Sequence, residues 1–298
     1  MAPPPRPQGD FQPRHQPLRE GDPRRIDRYQ LTARLGQGGM GTVYLGRSPG
    51  ERMVAVKVIQ PELAADPAFR RRFGREIEAA RRVGGFHTAS VVAADAHSEP
   101  PWLVTEYIPG PSLHDVLRQH GALPVKTLQV LTVGIAEALE GIHACGIVHR
   151  DLKPSNIIIS DTGPRVIDFG IARALDGTAI TRTDQVIGTR GFLAPEQLTG
   201  APITFATDVY AFGMVLCHAA GAVPSEDGES LESALSLLPS RLFALIARCL
   251  DRDPECRPTP TQVLEQLSHS RSSAGDWLPP PVRTMVELHH APTATSAD

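Results

Sequence analysis

From residue 29 the chain alternates. Apolar and polar positions change places almost one for one through "YQLTARLG", give way at "QGGMG", and resume in "TVYLGRS". A period of two belongs to a strand with one covered face, so this stretch reads as strand, glycine turn, strand. "RMVAVKVI" reads as a third strand. The period then changes. Phe69, Phe73, Ile77 and Ala80 recur at helical spacing, with arginines filling the opposite side, which predicts an amphipathic helix. "WLVTEYI" returns to strand. Beyond "PGPSL" the pattern is helical. Val130, Leu131, Ile135, Leu139 and Ile142 mark one helix; Leu242, Leu245, Ile246, Cys249 and Leu250 mark another; Val263, Leu264 and Leu267 mark a short last one. "DVYAFGMVLCHAAG" is apolar almost all round, which predicts a helix buried at the centre of its lobe. The pattern as a whole predicts an α+β molecule, a small β-rich lobe followed by a larger helical one.

The two ends lack such periodicity. Residues 1–26, "MAPPPRPQGDFQPRHQPLREGDPRRI", are rich in Pro and Arg and read as a disordered lead-in, because they offer too little apolar surface to offset ordering entropy. Residues 269–298 read as a partly disordered tail in which Trp277, Leu278, Met285, Val286 and Leu288 are available to pack on the domain. The domain between them is expected over 27–268, with one lobe at about 27–106 and the other at about 110–268.

Composition narrows the function classes. With 298 residues, 41% hydrophobic and 21% charged, the chain has the balance of a globular protein. Its formal net charge of −3 argues against binding driven by nucleic-acid phosphates. Cys145, Cys217, Cys249 and Cys256 form no C-x-x-C pair and lie in or beside apolar stretches, as reduced thiols in a cytoplasmic protein do. No run of 18 apolar residues suggests a membrane span, and no apolar signal core stands at the N-terminus.

Lysine usage points to chemistry. Among 30 Lys and Arg residues, lysine occurs only at Lys57, Lys126 and Lys153. Lys57 ends the third strand in "VAVK", and Lys153 lies in "HRDLKPSN". An ammonium is a compact point charge that fits between two phosphate oxygens, whereas a guanidinium fork suits carboxylates side-on. Gly36, Gly38 and Gly41 have the G-x-G-x-x-G spacing, which lets backbone amides approach a polyphosphate. A dinucleotide-binding turn would lead into a helix; here "TVYLG" follows as a strand. Glu76 borders the buried face of the amphipathic helix, within reach of Lys57 if that helix packs on the sheet. Asn156 and Asp168 are oxygen ligands suited to Mg²⁺, and Asp151 is placed to accept a proton from a hydroxyl nucleophile.

Taken in order, the glycine loop, VAVK, HRDLKPSN, "DFG" at 168–170 and "APE" at 194–196 resemble the protein kinase superfamily over roughly residues 29–268. "VIDFGIAR" and "VIGTRGFLAPEQL" are similar to the bacterial, eukaryotic-type (Hanks-type) serine/threonine kinases. The resemblance implies a bilobal protein-kinase fold and transfer of the ATP γ-phosphate to Ser/Thr hydroxyls of proteins, a non-specific serine/threonine kinase activity. It implies that Leu35, Gly36, Gly38, Gly39 and Gly41 cover the nucleotide. Val43 and Ala55 would roof the adenine, Ile158 would floor it, and the backbone of Glu106 and Ile108 would bond the purine edge. Thr105 would stand at the gatekeeper position. Lys57, positioned by Glu76, would hold the α- and β-phosphates. Asp151 would orient the hydroxyl and take its proton, Lys153 would steady the γ-phosphate, and Asn156 and Asp168 would hold Mg²⁺, with Mn²⁺ as the alternative ion. Asp208 would brace the catalytic loop, and Glu196 with Arg257 would form a buried ion pair. Arg150 would pair with a phosphorylated activation loop, with Thr181 and Thr183 as autophosphorylation sites, reached in a homodimer. Two rivals share this fold: a pseudokinase scaffold, which would lack Lys57, Asp151, Asn156 or Asp168, and a small-molecule phosphotransferase, which would not need the APE segment. Arg190 in "GTRGF" and the shortened stretch 221–240 depart from the pattern where substrates dock.

Overall fold

The computed structural model describes residues 15–169, 190–222, 235, 238–267 and 277–290. The small lobe is a six-stranded antiparallel sheet. Strands β1 (Arg25–Ile26), β2 (Tyr29–Gly38), β3 (Gly41–Arg47) and β4 (Met53–Ile59) follow in chain order, and β6 (Trp102–Glu106) lies between β4 and β5 (Val91–Asp95). The alternation read from the sequence becomes two faces. Tyr44, Val54, Val56 and Val104 are buried on one, in a cluster with Tyr29, Leu31 and Trp102. The other face carries Val43, Ala55, Lys57 and Thr105, all only half-buried. It forms one wall of a cleft.

Helix α1 (Pro61–Ala64) leads into α2 (Pro67–Ala80), which buries Phe69, Phe73, Ile77 and Ala80, the four residues of its predicted face. Asp66 caps its N-terminus by accepting from the Ala68 N–H. Arg70 ties that end to the sheet: its guanidinium donates to the carbonyls of Ala64, Ala96, His97 and Ser98.

The large lobe contains α3 (Leu113–His120), α4 (Val125–Ala144), the hairpin β7 (Ile157–Ser160) and β8 (Gly163–Val166), α5 (Pro195–Thr199), α6 (Phe205–Ala219), α7 (Ser240–Cys249) and α8 (Pro260–Leu267). Helix α6 is the predicted central helix, buried at Val209, Phe212, Val215, Leu216 and Cys217. One apolar core joins the lobes, running from Phe73 and Ile77 through Leu103 and Phe169 to α4 and α6.

The N-terminal end differs from its expected disorder, whereas the C-terminal tail packs through residues expected to be available for it. Residues 15–26, expected to be a loose lead-in, lie on the sheet: β1 pairs with β2, Gln16 pairs with Arg34, and Leu18 packs on the small-lobe cluster. Few apolar residues were needed, because backbone pairing and a buried ion pair supply the contacts. At the other end, α9 (Pro280–His290) packs on the large lobe through Val282, Met285 and Val286, with Trp277 and Leu278 buried beside it. The Thr127 hydroxyl donates to the Trp277 carbonyl at 2.6 Å. Among the described residues no helix is long and apolar enough to cross a membrane.

Candidate active site

The cleft between the lobes gathers the residues singled out in the sequence. Gly36, Gly38 and Gly39 form the exposed rim of the β2–β3 turn, where an added Cβ would meet no protein atom within 4 Å. Packing does not demand glycine there, and the space is open for a ligand to approach the backbone. Gly41 differs: a Cβ would collide with the Val58 carbonyl, so glycine lets β3 cross close to β4. Val43 is paired with Lys57 and Ala55 with Thr105, which aligns the four on the cleft face. Opposite them Ile158, Ile108 and Ala89 form a small buried cluster with Ile167 against it. Leu35 is half-buried at a register shift in β2. Glu106 leaves β6 with its N–H donating to the Ser90 carbonyl.

The catalytic loop is held from below. Both carboxylate oxygens of Asp208, 1% exposed at the start of α6, accept backbone N–H bonds, from His149 at 2.7 Å and Arg150 at 2.8 Å. His143 Nε2 donates to Asp208 Oδ2 at 2.7 Å. Burial holds the His149 imidazole below its usual range, so neutral Nδ1 accepts from the Asp151 N–H. Arg150 has φ 63° and Asp168 φ 58°, a left-handed backbone uncommon outside glycine and held here by these surroundings.

Above that base, Lys153 Nζ lies 3.0 Å from Asp151 Oδ2. Asn156 Nδ2 donates to the Asp151 carbonyl at 2.8 Å and to Asp151 Oδ2 at 3.3 Å. Fixing the amide nitrogen also fixes where the amide oxygen faces. Lys57 Nζ lies 3.3 Å from Asp168 Oδ2. Each of the two lysines thus faces a carboxylate, Lys57 that of Asp168 and Lys153 that of Asp151.

Lys57 and Glu76 are not brought together as the resemblance implied. Lys57 is taken up by Asp168, and Glu76 Oε2 is buried with no hydrogen-bond partner. Burial pushes the Glu76 carboxyl up to about 7, with Arg150, Arg72 and Arg75 opposing that rise. Glu196 and Arg257, by contrast, form a two-pronged pair at 2.7 and 2.9 Å.

Sequence reasoning passed over Arg165. Its Nη2 donates to the Thr88 carbonyl at 2.9 Å and to Glu106 Oε2 at 3.0 Å, joining β8 to the segment between the lobes. The signal was available: Arg165 is the one charge in the apolar run leading to Asp168. His87, also passed over, bonds the Pro164 carbonyl at 2.7 Å and lies 3.3 Å from Glu137. Gly170, Thr181, Thr183 and Gly188-Thr189 lie outside the described residues.

The model of the protein kinase domain family matches residues 29–267. The chain belongs to the protein kinase family. Its relatives place it among the bacterial, Hanks-type serine/threonine kinases. It is 47% identical over 281 residues to the probable serine/threonine-protein kinase PkwA of Thermomonospora curvata, covering 91% of this chain and 38% of that one. It is 42% identical over 289 residues to the serine/threonine-protein kinase AfsK of Streptomyces coelicolor, covering 91% and 36%. The chain thus spans little more than a third of the length of these curated relatives. The crystal structure of the Mycobacterium tuberculosis PknI kinase domain superposes with a TM-score of 0.65 at 28% identity, covering 83% of this chain and 97% of that one.

Protein kinases use ATP and divalent metal ions, and the residues here fit both. Asn156 and Asp168 offer the hard oxygens that Mg²⁺ takes alongside phosphate oxygens and water. Among the described residues no cluster of three His, Cys, Asp or Glu side chains forms an all-protein metal cage. The four residues whose loss would mark a pseudokinase, Lys57, Asp151, Asn156 and Asp168, are all present.

Proposed function

We propose that this chain transfers the γ-phosphate of ATP to serine and threonine hydroxyls of protein substrates. The observation that carries the reading is the fixing of Asp151 between Lys153 Nζ and Asn156 Nδ2, on a loop that Asp208 holds by two backbone N–H groups. A carboxylate so restrained can orient an incoming hydroxyl and accept its proton as the oxygen attacks. Lys153 meets the negative charge that the transferred phosphoryl group spreads over its oxygens, and a point charge suits that task better than a guanidinium fork. Lys57 holds the α- and β-phosphates under the open glycine rim at Gly36, Gly38 and Gly39. Leu35, Val43 and Ala55 cover the adenine, Ile158 lies beneath it, and the backbone of Glu106 and Ile108 bonds its edge. Asn156 and Asp168 hold Mg²⁺, or Mn²⁺ with the same donors, which when bound neutralises phosphate charge. Catalysis is then positioning and electrostatics, with little covalent work for the protein.

Thr181 and Thr183 are the expected autophosphorylation sites, reached by a second copy of the chain, with Arg150 as the guanidinium that grips the new phosphate. The four free cysteines and the use of ATP agree with a cytoplasmic setting.

The test is intact mass after incubation with Mg-ATP, beside Asp151→Asn. The parent is expected to gain phosphate at a rate that depends on protein concentration, and the variant to gain none. Equal gain in both would remove Asp151 from its role. No gain in the parent, with nucleotide binding intact, would favour a scaffold.

A further inference from the structure

Residues 15–26 lie ahead of the stretch that the kinase family model matches, yet they are built onto the face of the small-lobe sheet that turns away from the cleft, behind the strands that carry the glycine turn. Asp22 is the centre of the arrangement. Its side chain is 4% exposed, and both its oxygens receive the Arg34 guanidinium, Nε and Nη2 each at 2.6 Å. The Tyr44 hydroxyl donates to Oδ1 at 2.9 Å and the Arg19 N–H to Oδ2 at 2.7 Å. The bonds from Arg34 do most to hold the Asp22 carboxyl well below the usual range, against the cost of burial and with help from Arg19 and Tyr44, so it stays ionised at any working pH.

Arg34 and Tyr44 are a cross-strand pair of β2 and β3, the two strands that carry the glycine turn. Arg34 immediately precedes Leu35 and Gly36, and the β2 register shifts between Arg34 and Gly36. A bulge bends its strand and needs outside support to hold one geometry. The segment supplies it twice. Gln16 exchanges both backbone bonds with Arg34, at 2.9 and 2.7 Å, and Asp22 fixes the Arg34 side chain. The segment's far end reaches the connection between lobes, where His15 Nε2 lies 2.9 Å from the Tyr107 hydroxyl. Tyr107 stands between Glu106 and Ile108.

We infer that residues 15–26 form a strap that positions the nucleotide site, with Asp22 as the positioning residue for the glycine loop and His15 for the interlobe connection. The inference rests on the proposed nucleotide site at residues 35–43 and 106–108. The strap touches no phosphate. It selects one geometry of the β2 bulge and one spacing between that bulge and Tyr107, so ATP meets a preformed loop.

Asp22→Asn keeps the shape and removes the charge, Asp22→Glu keeps the charge, and His15→Ala releases only the interlobe end. The measurements are the Kd for ATP, kcat and KM for ATP, and thermal unfolding of the full chain. Asp22→Asn is expected to raise Kd and KM for ATP three- to tenfold, with kcat at saturating ATP changed less than twofold. Asp22→Glu should recover much of that loss. His15→Ala should raise KM about twofold with unfolding unchanged. A lower melting temperature in Asp22→Asn with the parent's Kd for ATP would show the strap to be packing alone and overturn the inference. If Asp22→Asn does not fold, His15→Ala and Tyr107→Phe decide on the same ground. Failure of the parent to bind ATP would overturn the site reading and the strap with it, a result distinct from a parent that binds and variants that bind equally well.

Discussion

Two glutamates, one in each lobe, meet burial in opposite ways. Glu196 in α5 is 5% exposed, and each of its oxygens receives an Arg257 nitrogen, with the Thr207 hydroxyl donating to one of them at 2.9 Å. Arg257 in turn donates to the carbonyls of Ala206 and Asp251 and lies over the Tyr210 ring. Burial acts to raise the Glu196 carboxyl, and Arg257 with Thr207 more than offsets it, leaving the group below its usual range. Glu76 in α2 is half-buried and lacks a hydrogen-bonding partner for its Oε2, so desolvation goes uncompensated there and its carboxyl rises to about 7. The difference separates a fixed part from an adjustable one. The large lobe closes its charges into a network before any ligand arrives. The small lobe keeps one carboxylate in reserve next to the cleft, where an arriving cation or a rearranged Lys57 would lower its cost.

The strongest way to break that comparison is Arg257→Met. It leaves Glu196 buried with a charge and only Thr207 beside it, a loss of about 3–5 kcal/mol. Urea unfolding should show a lower midpoint with an unchanged slope. The pair's contribution also has a sign in pH. The folded carboxyl lies below its unfolded value, so the contribution is present above the unfolded pKa and fades as pH falls through the folded one. The parent should therefore lose stability in acid more steeply than a variant in which Glu196 and Arg257 are both replaced by apolar residues. An Arg257→Met loss under 1 kcal/mol would mean that the network does not act as a unit.

Glu76→Gln probes the other side and has the opposite sign. A carboxyl raised to about 7 favours the folded state fully below the unfolded pKa, and that advantage is lost as pH rises through 7. The parent should weaken between pH 5 and pH 8 by about 1–2 kcal/mol, allowing for solvent screening at a half-buried site. Glu76→Gln should flatten that slope. A non-hydrolysable ATP analogue with Mg²⁺ should flatten it too if nucleotide binding frees Lys57 from Asp168 to face Glu76. A pH profile identical in parent and Glu76→Gln would show that Glu76 finds a partner in solution.

Most of this contrast was legible in the sequence, and its failures have physical causes. The alternation in residues 29–59 and the faces of α2, α4, α6 and α7 follow from burial periodicity, which a sequence displays directly. Lys57, Asp151, Lys153, Asn156 and Asp168 stood out because their types are chemically restricted, and the structure gathers them at one cleft. The partner of Glu76 was not legible, because a contact between α2 and β4 depends on a few ångströms of helix placement that no periodicity encodes. The strap was missed for a different reason. Composition judges a segment by the apolar surface it can bury, and residues 15–26 are held instead by Asp22, Gln16 and β1, whose partners outside the segment lie on β2 and β3. A polar segment with one well-placed buried ion pair looks like a loose one until its partner strand is known.

The smallest expected effect sharpens the comparison most cleanly, because it lies two residues from Glu76 on the same helix. Glu78 pairs with Arg81 at 3.0 Å, yet its side chain is 70% exposed and that of Arg81 46%. Coulomb attraction is weak in water, and ordering two long side chains offsets part of it. Glu78→Gln should change stability by about 0.2–0.5 kcal/mol, and added salt should remove even that. Glu76→Gln, with no partner to lose, should nonetheless produce the larger change, and one that depends on pH rather than on salt. If Glu78→Gln proved the more consequential of the two, ion pairing on the surface of α2 would outweigh desolvation beneath it, and the reserve carboxylate at the cleft would lose its physical basis.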